Sequence, residues 1–192
     1  EEIADSLESQ GVKVRESGFA EDVVFLSQVD YLESLDAFLD GWIQVQDLSS
    51  SLAGDAAGVK EGDYVIDVCG APGGKSLHIA ELLHGTGMVE VRDLTEKKIA
   101  LVEDNIWRSG FSNIEARVQD ATEFDPDAQE KADLLIADLP CSGLGIIGRK
   151  PDIRYNVTEE QTRELAKLQR EILSVVWRYV KPGGTMVFST CT

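Results

Sequence analysis

The sequence predicts an α/β fold built on a parallel, doubly wound sheet, and three observations lead there. From residue 63 on, short apolar strands at 64–69, 88–92, 114–119, 133–138 and 185–190 alternate with helical stretches at 75–83, 95–109 and 158–179. The first strand runs into a glycine-rich turn and a helix, "VIDVCGAPGGKSLHIAELL" (65–83). Each strand then ends in an acidic or thiol side chain: Cys69, Asp93, Asp120, Asp138 with Cys141, and Cys191. In such sheets ligands bind beyond the carboxyl ends of the strands, near the point where the strand order reverses.

Taken in chain order, residues 1–46 read as part of a small α+β unit. "IADSLESQG" predicts a short helix stopped by Gly11, and "VKVRE" and "DVVFL" predict short strands. "DYLESLDAFLDG" carries Tyr31, Leu32, Leu35, Phe38 and Leu39 at helical spacing before Gly41, and "WIQVQD" alternates as a strand does. A couple of strands cover little core, so this unit reads as the tail of a larger domain. "LSSSLAGDAAG" (48–58) predicts a helix leading into the main domain, which is taken as 47–192. A short turn is expected near 126–130, and "LPCSGLGIIGRKPDIRYNV" (139–157) reads as a long loop over the site.

With 192 residues, 43% of them hydrophobic, the chain can bury one full core. No apolar run approaches the ~18 residues of a membrane span. The start, "EEIADSLESQ", is acidic and polar and carries no signal peptide. Three cysteines, an odd number, read as reduced thiols in a cytoplasmic chain, with small packed core residues as the default role. The net charge of −17 speaks against a general nucleic-acid binder. The charge is uneven, however: residues 1–139 hold 10 basic and 30 acidic side chains, whereas 140–180 hold 7 basic and 5 acidic. A phosphate-facing surface belongs in the second stretch, unless those charges form an ordinary solvated helix face.

Gly74-Lys75-Ser76 raises the possibility of a phosphate loop, G-x-x-x-x-G-K-[ST]. The first glycine of that pattern falls on Cys69, so the match fails by one residue. Gly73 and Gly74 let a ligand approach the backbone closely, and the helix behind them offers N–H groups, which suits phosphate, carboxylate or nucleoside alike. Asp93, 20 residues after Gly73, sits where doubly wound folds place an acceptor for ribose hydroxyls. Asp120 is placed to accept from an adenine amine. Both aspartates could instead be helix caps, the weaker reading of the two.

The strings "CGAPGGKS", "VRDLTEKKIALVEDN", "VQDAT", "ADLPCSGLG" and "STCT", with "GWIQVQDLSSSLAG" ahead of them, resemble the Fmu/Sun (RsmB-like) RNA cytosine-5 methyltransferases in order and spacing. The resemblance implies a class I S-adenosylmethionine-dependent methyltransferase fold and S-adenosylmethionine as methyl donor, with no metal. It implies that the loop Cys69, Gly70, Ala71, Pro72, Gly73, Gly74 and Lys75 holds the methionine end of the donor. Asp93 then takes the ribose, Asp120 the adenine, and Asp138 lies between donor and base. A thiolate adding to carbon 6 of cytosine makes carbon 5 nucleophilic enough to attack the donor methyl. Cytosine-5 enzymes acting on DNA use the Pro-Cys, here Pro140-Cys141. The RNA family uses the Thr-Cys, here Thr190-Cys191, and gives the Pro-Cys thiol a part in product release. The resemblance therefore implies Cys191 as nucleophile, Cys141 as helper and Asp138 as the residue that steadies the protonated cytosine ring.

RNA, most naturally ribosomal, is the implied partner. Arg149, Lys150 and Arg154 follow the site directly as phosphate contacts, with Arg163, Lys167 and Arg170 beyond them. A monomer is the expected state. The family continues past Thr192 and carries an N-terminal RNA-binding part, so the chain is expected to be an excerpt. Rival readings are a P-loop-like NTPase, a non-catalytic donor- or RNA-binding module, and a DNA cytosine-5 enzyme.

Overall fold

A computed structural model describes residues 2–18, 23–148 and 151–191, without the side chains of Arg154 and Asn156. The N-terminal residues form helix α1 (Glu2–Ser9), an antiparallel pair β1 (Lys13–Glu16) and β2 (Val24–Ser27), and a short helix α2 (Asp36–Leu39). Leu7, Val12, Leu35 and Ala37 bury against one another as a small cluster of their own. Two expectations fail here. The helix expected over 31–39 is split, because Leu35 adopts an extended conformation between a 3-10 turn at Leu32–Ser34 and α2. Residues 42–47 form no strand despite their alternation. No strand among the described residues pairs with them, and the Ile43 N–H turns back to the Ala37 carbonyl.

Helix α3 (Leu48–Ala57) leads into a five-stranded parallel sheet: β3 (Tyr64–Asp67), β4 (Met88–Asp93), β5 (Ile114–Val118), β6 (Ala132–Asp138) and β7 (Val180–Ser189). The strand order is β5-β4-β3-β6-β7, so the order reverses between β3 and β6. This is the class I methyltransferase architecture. Helices α4 (Gly74–Leu82), α5 (Glu96–Ser109), α6 (Ile153–Asn156) and α7 (Glu159–Val176) connect the strands.

Strand alternation splits the core into two layers. Val65, Val89, Val91, Leu134 and Ile136 meet Leu77, Ile79 and Val102 on one face of the sheet. Ile66, Leu135 and Ala137 meet Ile172, Val176 and Tyr179 on the other. Burial on both faces is why β3 and β6 read as near-continuous apolar runs. Helix α7 starts on a capping box between Thr158 and Gln161 and gives way to a 3-10 turn at Trp177–Tyr179, three residues before the end expected for it. Strand β7 begins at Val180 rather than 185, since Lys181-Pro182-Gly183-Gly184 is absorbed in a register irregularity opposite Ala132–Leu134.

Candidate active site

The five strand ends converge on one edge of the sheet, around the β3/β6 reversal. The loop after β3 is fastened from both sides. The Gly70 N–H donates to the Arg92 carbonyl at 2.9 Å, and the Gly73 N–H donates to the Gly70 carbonyl at 2.7 Å. Gly70 is required by space: a Cβ there would stand 2.5 Å from Val91 Cγ1 and 2.9 Å from the Asp67 carboxyl. The Ala71–Pro72 peptide is cis. Helix α4 opens directly behind Gly73, and the first N–H groups of a helix lack intrahelical partners, so the loop presents donors to a ligand.

Asp93, at the end of β4, is buried. Its Oδ2 accepts from the Ala71 N–H at 3.1 Å, and its Oδ1 accepts from the Leu94 N–H at 2.7 Å and from Lys98 Nζ at 2.8 Å. A carboxylate offers about four lone-pair sites. Three are taken, one of them by the loop at Ala71, which leaves one for a ligand hydroxyl. Asp120, two residues past β5, accepts at Oδ1 from both the Thr122 N–H and the Thr122 hydroxyl. It caps its own turn, and Oδ2 lies outside those bonds. Leu94, directly after Asp93, is 57% exposed.

Asp138, at the end of β6, is held on both oxygens. Lys75 Nζ donates to Oδ2 at 2.6 Å, and the Ser189 hydroxyl donates to Oδ1 at 2.8 Å. Ser50 on α3 accepts from the same ammonium at 3.3 Å. Lys75 is therefore committed to Asp138, where a phosphate loop would aim it at a ligand. The register pairs Asp138 with Ser189 across β6 and β7, so the chain leaves the two strands side by side. Cys141 and Cys191 follow with their Cα atoms 6.2 Å apart, and their sulfurs are joined in a disulfide. This corrects the expectation of three reduced thiols: parallel neighbours in register bring two cysteines that lie 50 residues apart within bonding reach. Cys69 is the free cysteine. Burial, together with the Asp67 and Asp93 charges, pushes its thiol up to about 12, so it stays protonated and unreactive.

Sequence reasoning missed Asp67, although an acidic residue inside the apolar run "YVIDVC" is a signal of a buried charge with work to do. Asp67 is 1% exposed and accepts from the Ser76 hydroxyl at 2.6 Å. Burial pushes its carboxyl up to about 6, against the Ser76 hydroxyl, which favours the anion. Its Oδ1 meets no hydrogen-bond partner of acceptable geometry among the described residues. Lys98 and Ser189 were missed as well, since only the folded chain brings them to Asp93 and Asp138.

The expected phosphate contacts Arg149 and Lys150 lie outside the described residues, as does the side chain of Arg154. Arg163, Lys167 and Arg170 are exposed and lie opposite the face of α7 that carries Leu168, Ile172 and Val176, pointing away from the sheet. Arg163 is paired with Glu159 at 2.5 Å, so the ordinary solvated-face reading fits it. A groove lined by Cys141, Ser142, Val157, Leu165 and Leu168 runs between the Pro140-Cys141 loop and α7.

A family model described as 16S rRNA methyltransferase RsmB/F matches residues 56–192. A curated protein of Bacillus subtilis (strain 168), named "Probable ribosomal RNA small subunit methyltransferase B", is 38% identical over 192 residues, 100% of this chain and 43% of its own length. This chain therefore spans about two fifths of that relative. Among solved structures, PH0851 aligns with a TM-score of 0.92 and 33% identity over 100% of this chain and 43% of its own. NSun6 from Pyrococcus horikoshii, solved with SFG, an analogue of S-adenosylmethionine, aligns with a TM-score of 0.78 and 32% identity over 88% of this chain and 44% of its own.

Proposed function

The chain belongs to the RsmB/F family of 16S rRNA methyltransferases, and from that premise we propose that it forms the catalytic part of an enzyme that methylates carbon 5 of a cytosine in ribosomal RNA. S-adenosylmethionine is the donor, and a cysteine–carbon 6 bond is the intermediate. The observation that carries the reading is the meeting of Cys141, Cys191 and Asp138 at adjacent strand ends, beside the glycine loop.

The residues present fit the donor. The loop is stripped of side-chain bulk at Gly70, beside the buried Asp67 carboxylate, whose Oδ1 has no hydrogen-bond partner of acceptable geometry among the described residues; this acidic floor would suit an ammonium group. Asp93 retains one acceptor site that would take a ribose hydroxyl, Asp120 keeps an Oδ2 that would accept from the adenine amine, and exposed Leu94 would supply an apolar surface for the ring. When bound, the donor supplies an electrophilic methyl group. The rest of the chemistry belongs to the chain, in its dithiol form. Cys191, as thiolate, adds to carbon 6 of the flipped base. Asp138, oriented by Lys75 and Ser189, hydrogen-bonds the protonated ring and stabilises the charge that develops there. After transfer Cys141, as thiolate, takes the proton from carbon 5, and the electron pair of that C–H bond re-forms the ring double bond and expels the Cys191 sulfur as thiolate. Arg149, Lys150 and Arg154 contribute phosphate contacts.

The test uses the full-length enzyme under reducing conditions, with RNA and S-adenosylmethionine, read on a denaturing gel. Cys191→Ala gives no slow-migrating protein–RNA band, while Cys141→Ala attacks, transfers the methyl group and stalls as an adduct. A band from Cys191→Ala and none from Cys141→Ala would reverse the two roles. No band from either, with thermal melts unchanged, would refute the covalent route.

A further inference from the structure

Arg108, near the end of α5, lies where the N-terminal residues dock. Its Nη1 donates to the carbonyls of Phe38 at 2.8 Å and Ile43 at 3.1 Å. Its Nη2 donates to the Gln44 side chain and, at 3.1 Å, to Asn105 Oδ1. The guanidinium carbon stands 4.1 Å from the centre of the Phe38 ring. These acceptors are all neutral, and burial lowers the Arg108 pKa without displacing it from its charged form. Such a fork fixes direction more than it gains Coulomb energy. Gly41 makes the approach possible: a Cβ there would collide with the Arg108 carbonyl, and its φ of 77° is one that L residues rarely adopt.

The partner of Arg108 reaches the glycine loop. With Oδ1 held by Arg108, Asn105 turns its Nδ2 to the Pro72 carbonyl at 2.9 Å. Pro72 lies in the middle of the loop read above as the donor site. Without the Arg108 donation the amide can flip and present oxygen to a carbonyl, which repels. A cavity of about 670 Å³, lined by Trp42, Gln46, Leu77 and Phe111 among others, lies beside this contact.

We propose that Arg108 and Asn105 are positioning residues forming a relay, through which docking of residues 38–44 sets the shape of the 69–75 loop and hence the affinity for the methyl donor. The inference rests on the reading of that loop as the donor site. Neither side chain touches the reacting atoms, and the effect belongs to donor binding.

Calorimetric titration of the full-length enzyme with S-adenosylhomocysteine tests it. Asn105→Ala and Arg108→Leu each weaken binding roughly 3- to 10-fold, the range one well-placed hydrogen bond is worth. The double variant is no weaker than the weaker-binding single one, because both interrupt one relay. Asn105→Asp is the sharpest variant: it keeps the acceptor for Arg108, and so the docking, but has no N–H for Pro72. It weakens donor binding like Asn105→Ala while the melting temperature holds. Arg108→Lys does not restore affinity, since a single ammonium cannot span the two carbonyls and Asn105. Asn105→Asp with wild-type affinity overturns the relay, as do additive effects in the double variant. A wild-type enzyme that gives no binding heat overturns the donor reading and the relay together.

Discussion

Replacing the buried Asp67 with asparagine isolates one ionisation beneath the glycine loop. Burial raises the Asp67 carboxyl from an ordinary 3.8 to about 6 in the folded chain. As pH rises, the unfolded chain therefore gives up this proton first. Between about pH 4 and 6 the folded state binds the extra proton, so the contribution of Asp67 to stability is complete below the unfolded value and is lost as pH rises through about 6. A gap of roughly two pH units, at about 1.4 kcal/mol each, is worth about 3 kcal/mol. Against a typical domain stability of about 5–15 kcal/mol this is measurable. Urea unfolding of the wild-type chain and of Asp67→Asn is followed at steps from pH 4 to 7.5. The amide replacement adds a constant offset, and every other titrating group cancels in the difference. The wild type should lose about 3 kcal/mol relative to Asp67→Asn across this window and nothing more above pH 7. A difference that stays flat with pH would refute the claim that Asp67 is buried and raised. A difference that grows in the wild type's favour would mean that hydrogen bonds to the anion outweigh burial.

Asp93→Ala removes the acceptor that both shapes the loop and is assigned to the ribose, and S-adenosylhomocysteine affinity measured by calorimetry should fall by about 1–3 kcal/mol; undiminished affinity would remove Asp93 from the donor site. Arg92 is 2% exposed, bonded to Glu90 at 2.5 Å and Asp125 at 3.1 Å, and lies over the Tyr179 ring. Arg92→Leu leaves a buried Glu90 with fewer partners and should cost about 3–5 kcal/mol in chemical denaturation; Arg117 also pairs with Glu90, at 2.6 Å, and with Asp125, and the Tyr64 hydroxyl donates to Glu90, so a loss under 1 kcal/mol would show that these remaining partners satisfy both carboxylates.

The sheet was legible in the sequence because parallel strands covered on both faces are mostly apolar, and runs such as "DLLIAD" admit few other readings. The glycine loop and the strand-end aspartates were legible for the same reason, since their positions follow from where each run stops. Short-range pattern misled where pairing decides the outcome. "WIQVQD" alternates but pairs with no strand among the described residues, and Lys181-Pro182-Gly183-Gly184 falls before the strand expected at 185–190 yet joins β7 because β6 beside it tolerates a register irregularity. Relations between distant residues were beyond the sequence altogether. Asp138 could be marked as a site residue, but not that Lys75, 63 positions earlier, and Ser189, 51 later, would grip its two oxygens. Nor could the chain alone show Arg108 reaching both Phe38 and the neighbour of Pro72. Residue type and spacing determine which groups lie at a strand end. How close those groups come is decided by the order and register of the strands, because only hydrogen bonding between strands fixes which ends lie side by side and brings Cys141 to Cys191.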